Sequence, residues 1–158
     1  MEKSLNKEEQ IKIRKKIFLD KIMDEIKIKN LSVINNEKGD ILKGFLNSED
    51  ETIEVNEVYF TEINPSEIKA WKKHKTMPCN LIVLRGKIKI VIQKKDKSFL
   101  TQILSKENYK MITIPPNFWF GFQCLTEEIG LLVNISNEEH NDDEAEQIDI
   151  NELMFDWN

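Results

Sequence analysis

From residue 55 to residue 137 the chain alternates short apolar segments with polar turns, about every 8–12 residues. Val55 to Ile63 has strand character and closes at Asn64-Pro65. Leu81 to Gln93 is the clearest strand region. Leu81–Leu84 is continuous, Arg85-Gly86 interrupts, and Ile88, Ile90 and Ile92 then alternate with other residues. Phe99–Leu104, Tyr109–Ile114, Phe118–Cys124 and Ile129–Ile135 follow, separated by turns such as Pro115-Pro116-Asn117. No helix of useful length interrupts residues 31–137, which argues against a parallel βαβ sheet and for an antiparallel sandwich or barrel.

The flanks read differently. Residues 7–24 carry Ile11, Phe18 and Ile22 at helical spacing, widened by Ile13, Ile17 and Met23, and predict an N-terminal helix as a packing appendage. Leu31 to Ile34 and Ile41 to Leu46 are short apolar runs around the Asn35–Asp40 turn, with a polar loop at 47–51. Residues 138–146 form an acidic loop, and Ile148 to Trp157 a short docking tail. The expected organisation is a helical extension over 1–25 and one β domain over 26–158. A jelly-roll or cupin-type barrel is the expected architecture, all-β with an added α-helix. Its open mouth is a natural ligand site.

Composition limits the chemistry. The chain has 158 residues with two histidines, two cysteines and five glycines. Two histidines cannot build a three-histidine metal centre, and two cysteines cannot build a four-cysteine zinc site. No glycine-rich phosphate loop is present. Residues 1–30 hold nine basic and six acidic residues, whereas residues 138–158 hold nine acidic residues and no lysine or arginine. An acidic tail on a near-neutral body argues against nucleic-acid binding. No apolar run approaches a signal peptide or the roughly 20 residues of a membrane span, so a cytoplasmic protein with reduced Cys79 and Cys124 is expected.

His74 is the leading chemical group. It lies among four lysines and a tryptophan in Lys69-Ala70-Trp71-Lys72-Lys73-His74-Lys75, where positive neighbours favour the neutral imidazole that acts as a base. His140, in the acidic loop, reads as a solvated residue. Arg85, Lys72, Lys75, Lys87 and Lys89 are candidates for holding a diphosphate, with Lys87 and Lys89 better read as a solvated strand face. Tyr59 and Tyr109 are the only phenols. Trp71, Trp119, Phe118, Phe120 and Phe122 read mostly as core, with one or two able to stack on a base or sugar ring.

Five motifs occur in order: Asn56-Glu57-Val58-Tyr59-Phe60; Lys69 to Met77 with Asn80; Arg85-Gly86-Lys87-Ile88; Ile114-Pro115-Pro116-Asn117-Phe118-Trp119-Phe120-Gly121-Phe122; and Phe155-Asp156-Trp157. Together they resemble the cupins related to dTDP-4-dehydrorhamnose 3,5-epimerase, over roughly residues 26–158. The resemblance implies a jelly-roll homodimer that binds a nucleotide-linked 4-keto-6-deoxy sugar in surface-polysaccharide synthesis. It implies no metal and no redox cofactor. His74 matches the family's base, and Asp149 falls near the place of its partner carboxylate. Trp71, Lys75 and Asn80 match positions near the pocket; Arg85, Trp119 and Asn134 complete the expected substrate contacts.

The sequence departs from the resembled pattern in four ways. Lys72 stands where a first histidine often stands, Cys79 falls near the enolate-steadying lysine, and Phe120 replaces a histidine. The family's acid tyrosine has no counterpart in residues 131–140. Lys72 or Lys75 is read as the replacement cation, and Tyr59 or Tyr109 as the replacement acid. The activity expected is epimerisation next to the ketone. The alternatives are a 3,4-ketoisomerase on the same substrate class and a cupin that binds a sugar nucleotide or a partner protein without catalysis.

Overall fold

The computed structural model describes residues 9, 10, 13, 25–45, 55–139 and 141–158. Most of the helix expected over 7–24, the loop over 47–51 and His140 lie outside the described residues, and so does the end of the Ile41–Leu46 run.

The body is all-β. Its strands are β1 (Lys27–Asn30), β2 (Val33–Ile34), β3 (Ile41–Leu42), β4 (Glu57–Ile63), β5 (Ile68–His74) and β6 (Cys79–Arg85), then β7 (Ile88–Gln93), β8 (Phe99–Leu104), β9 (Lys110–Ile114), β10 (Phe120–Cys124), β11 (Gly130–Ser136) and β12 (Ala145–Gln147). One five-stranded sheet runs β1-β9-β6-β11-β4, and a second runs β12-β5-β10-β7-β8. Every strand pairing in both is antiparallel. This is the jelly-roll sandwich that the segment pattern predicts.

Two strands escape the sequence pattern. In β5, four of seven residues are Lys or His, so alternation is masked. β12 lies inside the acidic run and is held by register with β5, Ala145 opposite His74 and Gln147 opposite Lys72.

The core fills the space between the sheets. Leu81, Val83, Ile112, Ile114 and Leu132 of the first sheet meet Ile88, Ile90, Ile92, Phe120 and Phe122 of the second. Period-two alternation along each strand puts these residues on one face. The other face of the first sheet carries Ile82, Tyr109, Met111, Val133 and Ile135, covered by Leu31, Val33, Leu42 and Phe45. The other face of the second sheet is closed by the C-terminal segment, where Trp71 packs 5.1 Å from Trp157 and 5.8 Å from Phe99.

Turns follow backbone demand. Gly86, between β6 and β7, has φ +77°, and a Cβ there would lie 2.9 Å from Thr126 Oγ1. Both facts require glycine at this corner. Among the described residues, no helix is long and apolar enough to cross a membrane.

Candidate active site

A cavity of about 410 Å³ opens between the two sheets. The first sheet contributes Tyr59 and Thr61 of β4, Cys79 and Leu81 of β6, and Leu132 and Asn134 of β11. The second contributes Lys69 to Lys72 and His74 of β5, Phe120 and Phe122 of β10, and Gln147 of β12, with Ile148 beside it. The floor is apolar, and the polar groups are few and convergent, as in small-molecule sites.

His74 ends β5 and is only 3 % exposed. Its ring stacks on Phe120 with centroids 5.9 Å apart. Its Nδ1 is hydrogen-bonded to Glu144 Oε2. Glu144 belongs to a short 3₁₀ turn, Asp142–Glu144, that leads into β12. The register of β12 on β5 brings this carboxylate to the imidazole. The second carboxylate oxygen, Oε1, accepts from the backbone N–H groups of Thr76 at 2.8 Å and Met77 at 2.9 Å. Burial raises the Glu144 pKa, but these two backbone bonds and the His74 ring outweigh it and hold the carboxyl below its ordinary value. An ionised Glu144 only accepts, so Nδ1 must donate, and a neutral ring then carries its lone pair on Nε2. The carboxylate also stabilises the imidazolium that forms when Nε2 takes a proton.

The carboxylate on the histidine is thus Glu144 and not Asp149. Asp149 is exposed and caps the Ile150–Glu152 turn, its Oδ1 accepting from Asn151 N at 2.9 Å. Glu144 was missed because a run of acidic residues reads as a solvated loop. The one available signal was the apolar Ala145 and Ile148 on either side of a polar pair, and that is too short a pattern to count.

Lys72 lines the cavity, and its charge acts on the thiol of Cys79 in the opposing sheet. No carboxylate pairs with Lys72 among the described residues. Burial is the main reason the Cys79 thiol is pushed up to about 12, so it stays protonated. Trp71 is in the wall, with its indole N–H donating to Ile150 O at 3.1 Å. Tyr59 and Asn134 line the facing wall, joined by a 2.6 Å hydrogen bond.

Four further expected contacts lie outside the cavity. Asn80 alternates with Cys79 and Leu81, so it faces the other way and ties three strands: its Nδ2 donates to Ile135 O and its Oδ1 accepts from Thr113 Oγ1, both at 2.8 Å. Lys75 lies past the strand end, donating to Asp143 O at 2.8 Å. Arg85 sits at the far end of β6, donating to Ile129 O at 3.0 Å. Trp119 lies under Lys73, whose Nζ is 4.7 Å from the ring centre. Lys69, Thr61 and Gln147 enter the wall in their place.

No family model matches the chain. It is 25 % identical over 146 residues to the probable low-salt glycan biosynthesis epimerase Agl13 of Haloferax volcanii, covering 85 % of this chain and 94 % of that protein. Among solved structures it is similar to a dTDP sugar isomerase from Desulfovibrio desulfuricans G20, with a TM-score of 0.78 and 26 % identity over 85 % of this chain and 91 % of the other. The dTDP-6-deoxy-D-glucose-3,5-epimerase RmlC of Legionella pneumophila shares the fold, with a TM-score of 0.73 and 21 % identity over 85 % and 79 % of the two chains. In sequence the chain is similar to a glycan biosynthesis epimerase and to a dTDP sugar isomerase, and it shares the jelly-roll fold of a 3,5-epimerase.

Proposed function

We propose that this protein epimerises a nucleotide-linked 4-keto-6-deoxy sugar, with His74 removing a proton from a carbon next to the ketone. The observation that carries this reading is the His74–Glu144 pair at the cavity wall. A carbon acid beside a ketone needs a neutral, oriented base and a site for the enolate charge. Glu144 sets the tautomer, and the Phe120 stack holds the ring plane. Lys72 supplies positive charge in the same cavity, where an enolate oxygen would gain most from it.

The route is short. The C–H bond breaks, its proton passes to Nε2, and its electron pair is held as the enolate beside Lys72. Return of a proton to the carbon closes the cycle, and inversion results when it returns from the other face.

The test uses dTDP-4-keto-6-deoxyglucose in heavy water, with the sugar protons followed by NMR. Deuterium should enter at C3, at C5, or at both, and an inverted product should accumulate. His74→Asn should lower both rates by about 100-fold or more, the usual contribution of a positioned base. Entry at C3 with a carbonyl moved from C4 to C3 would replace epimerisation by ketoisomerisation. Wild type and His74→Asn both silent on this substrate and its GDP-linked equivalent would sink the proposal.

A further inference from the structure

The segment between β5 and β6 runs from Lys75 to Pro78 and carries the two N–H groups that hold Glu144 Oε1. This segment has an anchor of its own. The Thr76 hydroxyl has one proton and two carboxylates near it: Glu138 Oε2 at 2.8 Å and Glu144 Oε1 at 3.5 Å. Carboxylate oxygens only accept, so the proton goes to the nearer one, Glu138.

Glu138 follows the end of β11, in the first sheet, and its backbone is clamped there. Its N–H donates to Ser136 Oγ at 3.0 Å, and the Ser136 hydroxyl donates to Glu138 O at 2.7 Å. Ser136 is fully buried, so the clamp sits on a fixed point of the fold. The contacts then run in one line from the first sheet to the second. Glu138 accepts from Thr76, the Thr76 and Met77 N–H groups donate to Glu144, and Glu144 bonds the His74 ring. Neither Glu138 nor Thr76 lines the cavity, so neither is placed to touch a substrate.

We infer that Glu138 and Thr76 are positioning residues for the base: the hydrogen bond between them fixes the 75–78 segment, whose N–H groups aim the Glu144 carboxylate at His74. The inference rests on the epimerase reading, in which His74 is the base. Without this bond the segment is free to shift, and its N–H groups no longer hold Glu144 in line with Nδ1. A hydroxyl released from Glu138 also turns to Glu144 Oε1, the other acceptor near it, and draws charge away from the ring. Both changes act in one direction. The imidazolium loses support, and the ring becomes a weaker base.

The test compares Thr76→Val, Thr76→Ser, Glu138→Ala and the double variant Thr76→Val with Glu138→Ala, each checked for folding by its urea midpoint. If Thr76→Val does not fold, Glu138→Ala carries the test. The His74 ring protons, assigned by their loss in His74→Asn, are titrated by NMR without substrate. Lys69 and Lys72 of β5, Tyr59 of β4 and Cys79 of β6 share the cavity with the ring and are the same in these four variants, so a moved titration reports Glu144. In Thr76→Val and in Glu138→Ala the ring should titrate at a lower pH than in wild type. Thr76→Ser keeps the hydroxyl and should recover most of the difference. Deuterium entry into dTDP-4-keto-6-deoxyglucose in heavy water should fall by about 10-fold in kcat with little change in KM, the size of one hydrogen bond to a charged group. The double variant should lose no more than the worse single variant, since both remove the same bond. An unmoved titration with wild-type exchange in Thr76→Val or Glu138→Ala overturns the inference. So do additive losses, which would leave Glu138 acting by its charge alone. A wild type that exchanges no deuterium removes the epimerase reading, and the titration then decides the positioning of Glu144 by itself.

Discussion

Glu144 does two jobs with its two oxygens. One sets the His74 tautomer, and the other caps the backbone N–H groups of Thr76 and Met77. Glu144→Gln cannot satisfy both, because its amide nitrogen must face one of these donors. The variant should lose about 100-fold or more in turnover, since a base in the wrong tautomer holds no lone pair at the substrate. The same residue predicts an acid dependence of stability. Its folded pKa lies below the ordinary 4.5, so its ionised form stabilises the fold. That contribution is fully present above 4.5 and is lost as the pH falls through the lower folded value. Urea unfolding of wild type and Glu144→Gln should therefore differ most at neutral pH and converge in acid. A gap that stays constant into acid would show that Glu144 is not held in its ionised form. At this scale the sequence exposed His74 as the chain's main acid–base candidate but hid its partner. The contact between them spans 70 residues and depends on strand register, which local pattern does not encode.

Among the elements, β5 organises the site. It pairs with β10 on one side and β12 on the other, and its register shifts between Phe120 and Phe122. Gly121 sits at that shift. A Cβ there would lie 2.6 Å from Ala70 Cβ and 3.0 Å from the Trp157 ring. Ala70 has no rotamer to move, so Gly121→Ala forces β5 and β10 apart. It should cost about 1–3 kcal/mol, read as a lower urea midpoint with an unchanged slope. Strands with clean alternation, such as β7 with Ile88, Ile90 and Ile92, were legible from the residues. β5 was not, because its inward set includes Lys72 and His74, polar residues that line the cavity and not the core. The same alternation on β6 was available for the neighbouring sites. It separates Cys79, in the wall, from Asn80, behind it, but motif position alone put Asn80 near the pocket.

For the molecule as a whole, the C-terminal segment is the closing wall. Ile148 exchanges backbone hydrogen bonds with Trp71, each 3.2 Å, and Trp157 is buried against Trp71 and Phe155. Lys89 Nζ donates to Trp157 O at 2.8 Å. Trp157→Ala empties the centre of this cluster and should destabilise the fold by about 3–5 kcal/mol in chemical denaturation. A much smaller loss would show that the segment is held by its backbone pairing rather than by the indole. The sandwich itself was readable from segment spacing. The docking of the tail was readable only as an expectation that Ile148 to Trp157 packs somewhere, since nothing in those residues names Trp71 as the receptor.

That wall also orders events in time. During synthesis Tyr59, His74 and Asn134 are all made before the carboxylate that completes the histidine. The imidazole waits for 70 further residues before Glu144 exists to orient it. A growing chain can therefore assemble most of the sandwich, and most of the pocket, before His74 has its partner carboxylate. The His74–Glu144 pair forms only when the last strand takes its place along the edge of β5.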